Sequence, residues 1–127
     1  MKLLFLIILF TSLTFSQSDS TKSEKKYEMK TYYFCMLVKG ENRNQDSLTV
    51  AKIQEGHLKR ITELANEGKI AIAGPFLDNS DWRGIFIYNV ASVEEAQKLA
   101  ESDPAVQAGR LKAIIKPWMS ARGSTLP

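Results

Sequence analysis

Residues 32–38 read Y-Y-F-C-M-L-V and are closed by Lys39-Gly40. A hydrophobic run this short makes barely two helical turns, and its aromatic and branched side chains suit a pleated surface. It is therefore expected to be a strand. Side chains along a strand face alternate sides of the sheet, so a run with no polar position must be covered on both sides. That makes it a central strand.

Outward from it the elements follow in order. Residues 40–47 (G-E-N-R-N-Q-D-S) form a polar loop. Asp46 or Ser47 can cap a helix carrying Val50, Ile53, His57, Ile61 and Leu64, spaced by three or four. Glu67-Gly68 ends it, with Gly68 suited to a left-handed stop. Residues 69–76 (K-I-A-I-A-G-P-F) are a second strand whose Gly-Pro marks an edge or a bend. A turn over 77–83 leads to a third strand, 84–90 (G-I-F-I-Y-N-V). Ser92 and Glu95 make a capping box for a helix ending near Ser102, and Asp103-Pro104 starts a further helical turn. Gly109 precedes a last strand, 110–116.

Strand, helix, strand, strand, helix, strand is the split βαβ arrangement. The expected fold class is α+β: a ferredoxin-like βαββαβ unit with a four-stranded antiparallel sheet, its first and third strands central. The last strand alternates Leu111, Ala113 and Ile115 with Lys112, Ile114 and Lys116, which suits a sheet edge. Two helices cover one face of such a sheet. The other face, apolar on the central strands, expects a second copy of the chain, pairing as a dimeric α/β barrel.

The N-terminal region has a different character. Lys2 precedes an unbroken apolar run, 3–10, and then small and polar residues, the pattern of a secretory signal peptide. The run is far shorter than the roughly 20 residues a membrane span needs. The expected organisation is a signal over 1–17, a flexible polar lead over 18–31, a folded domain over 32–121 and a tail over 122–127. The chain has 127 residues, 17 Lys+Arg against 14 Asp+Glu, a net charge of +3 and a hydrophobic fraction of 44%. Loss of Lys2 with the signal lowers the charge by one, too mild an excess to argue for nucleic acid or a membrane surface. A single Cys excludes an internal disulfide, and a single His beside it leaves too few ligands for a zinc site. No metal or cofactor is expected.

His57 lies on the helix stripe that faces the sheet, where an imidazole needs a hydrogen-bond partner. It is either a structural histidine or a general acid/base, the role that a pKa near neutrality suits. Asp103 is a natural helix cap; its functional alternative is to orient His57. Cys35 is a core thiol or a nucleophile activated by His57. Gly74, Pro75 and Tyr33 are candidate pocket residues. Trp82 and Trp118 line a pocket or cover the core, and Arg110 and Lys112 attract an anion or form a solvated edge. There is no phosphate loop and no serine nucleophile elbow.

Six segments in order, E-G-H-L (55–58), E-G-K-I-A-I-A-G-P-F (67–76), R-G-I-F-I-Y (83–88), S-V-E-E-A (92–96), D-P-A-V-Q-A-G-R-L (103–111) and K-P-W (116–118), resemble the YciI-like (YCII-related) family of the dimeric α/β-barrel superfamily. The resemblance covers about residues 32–118. It implies a ferredoxin-like protomer paired through its sheets, and an active site built on a His–Asp pair that falls on His57 and Asp103. The expectation is an exported, periplasmic or secreted small enzyme. It would transfer protons, in the manner of a lyase or isomerase, on a small organic ligand, as a homodimer without nucleic acid and without a membrane span after signal cleavage. The alternative is a non-catalytic dimeric small-molecule binding module.

Overall fold

The computed structural model describes residues 26–127. Its elements are β1 (Met29–Lys39), α1 (Ser47–Asn66), β2 (Ile70–Pro75), β3 (Trp82–Tyr88), α2 (Val93–Glu101), α3 (Pro104–Gln107) and β4 (Leu111–Ala121). The strands form one antiparallel sheet in the order β2-β3-β1-β4, so β1 and β3 are central as their composition requires. This is the ferredoxin-like α+β fold.

Local chemistry sets each helix. Asp46 caps α1 by accepting the Thr49 N–H at 2.9 Å. Beyond its last turn Gly68 takes φ 71°, and the Lys69 N–H closes on the Leu64 carbonyl at 2.8 Å. Ser92 caps α2 through the Glu95 N–H, while the Glu95 carboxylate accepts the N–H of Ala91, the residue before the cap. Asp103 caps α3, with Pro104 in its first turn. All three helices pack on one face of the sheet, over a core of Cys35, Leu37, Leu64, Ile70, Phe86, Tyr88, Ala96, Leu99 and Ala100. The opposite face carries the alternate positions of the central strands, among them Tyr32, Phe34, Met36, Ile85 and Ile87.

The structure lengthens the outer strands. β1 begins at Met29, inside the stretch expected to be flexible lead, because Met29, Lys30 and Thr31 pair with Ala121, Ser120 and Met119. β4 accordingly runs to Ala121 instead of stopping at Lys116. It tolerates Pro117 because it is an edge strand, where a missing N–H need not break a ladder. β3 is displaced toward the turn, starting at Trp82 and ending at Tyr88. The export signal expected over 1–17, and residues 18–25 of the lead, lie outside the described residues. Among the described residues no helix is long and apolar enough to cross a membrane.

Candidate active site

His57 stands on the sheet-facing stripe of α1, and Asp103 stands at the start of α3. Their side chains meet, with His57 Nδ1 2.7 Å from Asp103 Oδ2. The imidazole side chain is 12% exposed and the carboxylate only 3%, so the carboxylate needs full compensation. It receives it from two directions: Oδ2 faces the imidazole, and Oδ1 accepts the Ala105 N–H at 2.8 Å. One side chain thus caps a helix and fixes the histidine. The cap and the contact with His57 are made by the two oxygens of one carboxylate.

The approach of α1 to α3 depends on Gly56. A Cβ there would lie 3.0 Å from Pro104 Cγ and 3.3 Å from Pro104 Cβ, tighter than ordinary packing. Absence of a side chain beside His57 lets the helix come close enough for imidazole and carboxylate to touch. The His57 ring also lies against Phe86 of β3, with centroids 6.1 Å apart.

Nδ1 is engaged by Asp103, but Nε2 has no hydrogen-bond partner among the described residues. No buried side-chain polar atom there lacks a partner, so Nε2 is open to solvent. His57 borders a cavity of about 440 Å³ between α1 and the β2–β3 side of the sheet. Leu37, Ile53, Ile61 and Phe86 give it apolar walls, and Gly74 and Pro75 also border it.

Tyr33 does not belong to this cavity. Strand alternation puts Tyr33, Cys35 and Leu37 on the helix side of β1, but the cavity opens at the Leu37 end. Tyr33 is four residues away, roughly 13 Å along a strand. Its hydroxyl instead donates to the Ala91 carbonyl at 3.4 Å.

Cys35 sits in the core and does not border the cavity. Burial pushes its thiol up to about 12, and the nearby Asp103 carboxylate adds to that rise. A thiol held protonated is no nucleophile, so the core alternative is the one realised. Trp82 packs tilted against Phe76, ring centroids 5.9 Å apart, and Trp118 against Tyr32 at 6.4 Å, neither at the cavity. Lys112 is exposed and also lies away from it.

Arg110 does border the cavity, together with Arg43 and Arg83. The loop after β1 is strapped to the turn before β4: Gly40 N–H donates to Arg110 O at 2.8 Å and Asn42 N–H to Gly109 O at 3.0 Å. A Cβ at Gly40 would sit 2.1 Å from the Gly109 carbonyl oxygen, so only glycine permits this crossing. The strap carries Arg43, whose Nη1 donates to the Arg110 carbonyl at 2.8 Å. Burial, then the charges of Arg110 and Arg83, lower the pKa of Arg43. Of these three arginines the sequence points only to Arg110, beside Lys112. Arg43 lies in an irregular loop and Arg83 at a strand start, where no periodicity points to a shared site.

A ferredoxin-like sheet with its helices on one face, and a buried carboxylate holding a histidine at a small cavity, define a class of compact α+β proteins. Within it the chain belongs to the YCII-related domain family, whose pattern matches residues 32–119. It is 28% identical over 86 residues to the uncharacterized protein YjpA of Bacillus subtilis (strain 168), a match spanning 68% of this chain and 92% of that protein. It also resembles a solved structure of the 5-chloro-2-hydroxyhydroquinone dehydrochlorinase TftG from Burkholderia phenoliruptrix AC1100, in complex with 2,5-dihydroxybenzoquinone. That likeness has a TM-score of 0.50 and 24% identity, covers 68% of this chain and 92% of the other, and bears on the fold.

Proposed function

We propose that the chain is a small exported enzyme in which His57 and Asp103 carry out proton transfer, of lyase or isomerase type, on a compact organic ligand. The observation that carries this is the 2.7 Å contact between Nδ1 and a buried carboxylate, made while Nε2 stays open beside a cavity. With its proton on Nδ1, the neutral imidazole presents the Nε2 lone pair to the ligand. Nε2 takes a proton from the ligand, and the resulting imidazolium is stabilised by Asp103, which remains ionised. The same Nε2–H then returns the proton to another atom of the ligand or to a leaving group. A cavity of about 440 Å³ suits a small ligand, within the usual range of such sites of roughly 300–1,000 Å³. The name of TftG, a dehydrochlorinase, supports the fold's suitability for eliminations on small ring compounds.

The test uses a panel of compact enolisable ketones and β-substituted acids incubated with the protein in D2O and followed by NMR. Deuterium incorporation or elimination is expected with the wild type. His57→Ala and Asp103→Asn should each reduce it by about a hundredfold or more with the fold retained. Asn at 103 preserves a cap acceptor but loses the negative charge that stabilises the imidazolium. Undiminished exchange in His57→Ala would sink the proposal, and compounds that bind but return unchanged would favour the non-catalytic binding module.

We also propose that the protein works as a homodimer and is exported to the periplasm or beyond. The apolar helix-free face of the sheet supports the first, and the charged, apolar and small-residue order of residues 1–17 supports the second. N-terminal sequencing after expression in a bacterial host should find a chain starting near residue 18. Intact Met1 in the recovered protein would exclude cleavage.

A further inference from the structure

We propose that Arg43, Arg83 and Arg110 form an anion-binding wall of the His57 cavity, and that its ligand is a carboxylate carried on a ring-sized apolar body. The inference deepens the acid/base assignment and rests on it for placing the ligand beside His57.

Arg43, Arg83 and Arg110 all line the cavity that His57 lines. None has a carboxylate within ion-pair distance among the described residues, where the ion pairs are His57–Asp103, Arg60–Glu63, Lys69–Glu67 and Arg122–Glu28. Their protein contacts are neutral. Arg43 Nη1 donates to the Arg110 carbonyl at 2.8 Å, Arg110 Nη1 to Gln45 Oε1 at 2.8 Å, and Arg83 Nη1 to the Ser80 carbonyl at 3.4 Å. Each contact uses one guanidinium nitrogen and leaves most of the N–H groups available to a ligand. Burial lowers the pKa of Arg43 most, and the charges of Arg110 and Arg83 lower it further, so the three charges feel one another. Three like charges around one concavity oppose folding, and a bound anion removes that cost. Guanidinium groups match a planar carboxylate through paired N–H donors, which fixes the ligand's orientation as well as its charge. Apart from the exposed Gln54 near the cavity rim, the remaining walls are hydrocarbon: Leu37, Ile53, Ile61 and Phe86 offer nothing to a second charged group. The ligand is therefore anionic at the arginine end and apolar where it passes His57.

The probes are benzoate, its neutral isostere benzamide, and inorganic phosphate. His57 is the sole histidine, so its ring signals in an NMR titration report on this cavity alone. Benzoate should shift them and bind at least about tenfold more tightly than benzamide, with the difference shrinking at high salt. Arg83→Gln is the cleanest variant because its protein contact is the longest of the three. It should reduce the preference for benzoate at least about threefold and leave benzamide binding unchanged, while Arg83→Lys recovers part of it. Thermal unfolding of each variant verifies the fold. Equal binding of benzoate and benzamide overturns the proposal, as does a preference untouched by Arg83→Gln together with Arg110→Gln. Phosphate displacing benzoate at equal concentration overturns the apolar body. Loss of anion preference in a protein whose proton exchange still depends on His57 rejects the arginine wall alone. An anion preference that Arg83→Gln removes, in a protein without exchange chemistry, supports the wall and rejects the dyad.

Discussion

Cys35 and Asp103 show how one buried environment gives two side chains opposite roles. The carboxylate is compensated by a backbone N–H and an imidazole, whereas the thiol faces only the core and that same carboxylate. The consequence is measurable in alkali. Cys35 stays protonated to about 12 in the folded chain but ionises near its ordinary value of 9.0 once unfolded. Above pH 9 the unfolded chain holds fewer protons, so stability falls as pH rises from about 9 toward 12. The loss from this one group should reach about 1.4 kcal/mol by pH 10. Tyr88, also raised by burial above its ordinary 10.0, adds to the decline at higher pH. Urea unfolding at pH 8 and pH 10 should show a smaller drop for Cys35→Ala than for the wild type. Equal drops would mean that the thiol is already ionisable in the folded protein.

At the scale of elements, the site depends on how closely α1 lies against α3. Gly56 sets that distance, with Pro104 filling the space its side chain would take. Ala in a helix interior is favoured over Gly by roughly 1 kcal/mol, which offsets the strain of the crowded contact. Gly56→Ala should therefore change the melting temperature little. It should nevertheless push Pro104, and Asp103 with it, a few tenths of an ångström from His57. The expected result is about a tenfold loss of any His57-dependent activity and weakening of the hydrogen-bonded Nδ1 proton signal of His57. Unchanged activity and signal would show that α3 yields without disturbing the pair. The order of elements was legible because each announces itself locally: Asp46, Ser92 and Asp103 as caps, Gly68 as a stop, residues 32–38 as a two-faced strand. Strand ends were not, since Met29 and Met119 become strand only by pairing with each other's neighbourhoods. The dyad was legible from His57 on an apolar stripe and from the D-P step, helped by family resemblance. The meeting of three arginines at the same cavity was not. Residues 43, 83 and 110 are brought together by sheet order and the Gly40 strap, and no local pattern encodes that meeting.

For the whole molecule, the sheet's two faces differ in what covers them. α1 packs against β2, α2 against β1 and β4, and α3 against β4, all on the side of Cys35, Leu37 and Phe86. The other side has Tyr32, Phe34 and Met36 on β1, Ile85 and Ile87 on β3, and Ile114 and Trp118 on the edge strand β4, where the exposed Lys112 and Lys116 flank Ile114. Ile114 and Trp118 are each 43% exposed in the protomer, a large apolar surface for a folded unit of this size to leave wet. A second copy related by a two-fold axis would bury the same residues on both chains. The proposed dimer separates two effects of one substitution. Ile114→Lys changes an exposed position on an edge strand, so in a monomer it should shift stability by no more than about 0.5 kcal/mol. In a dimer it places two unpaired ammonium groups in an apolar interface, one from each copy, and association should weaken by about a hundredfold or more. Sedimentation equilibrium should find the wild type dimeric at micromolar concentration and Ile114→Lys monomeric, with unchanged circular dichroism. Phe34→Lys, at a central position of the same face, should do the same. A wild type that remains monomeric at about 100 µM, or an Ile114→Lys variant that stays dimeric, would reject pairing through this face.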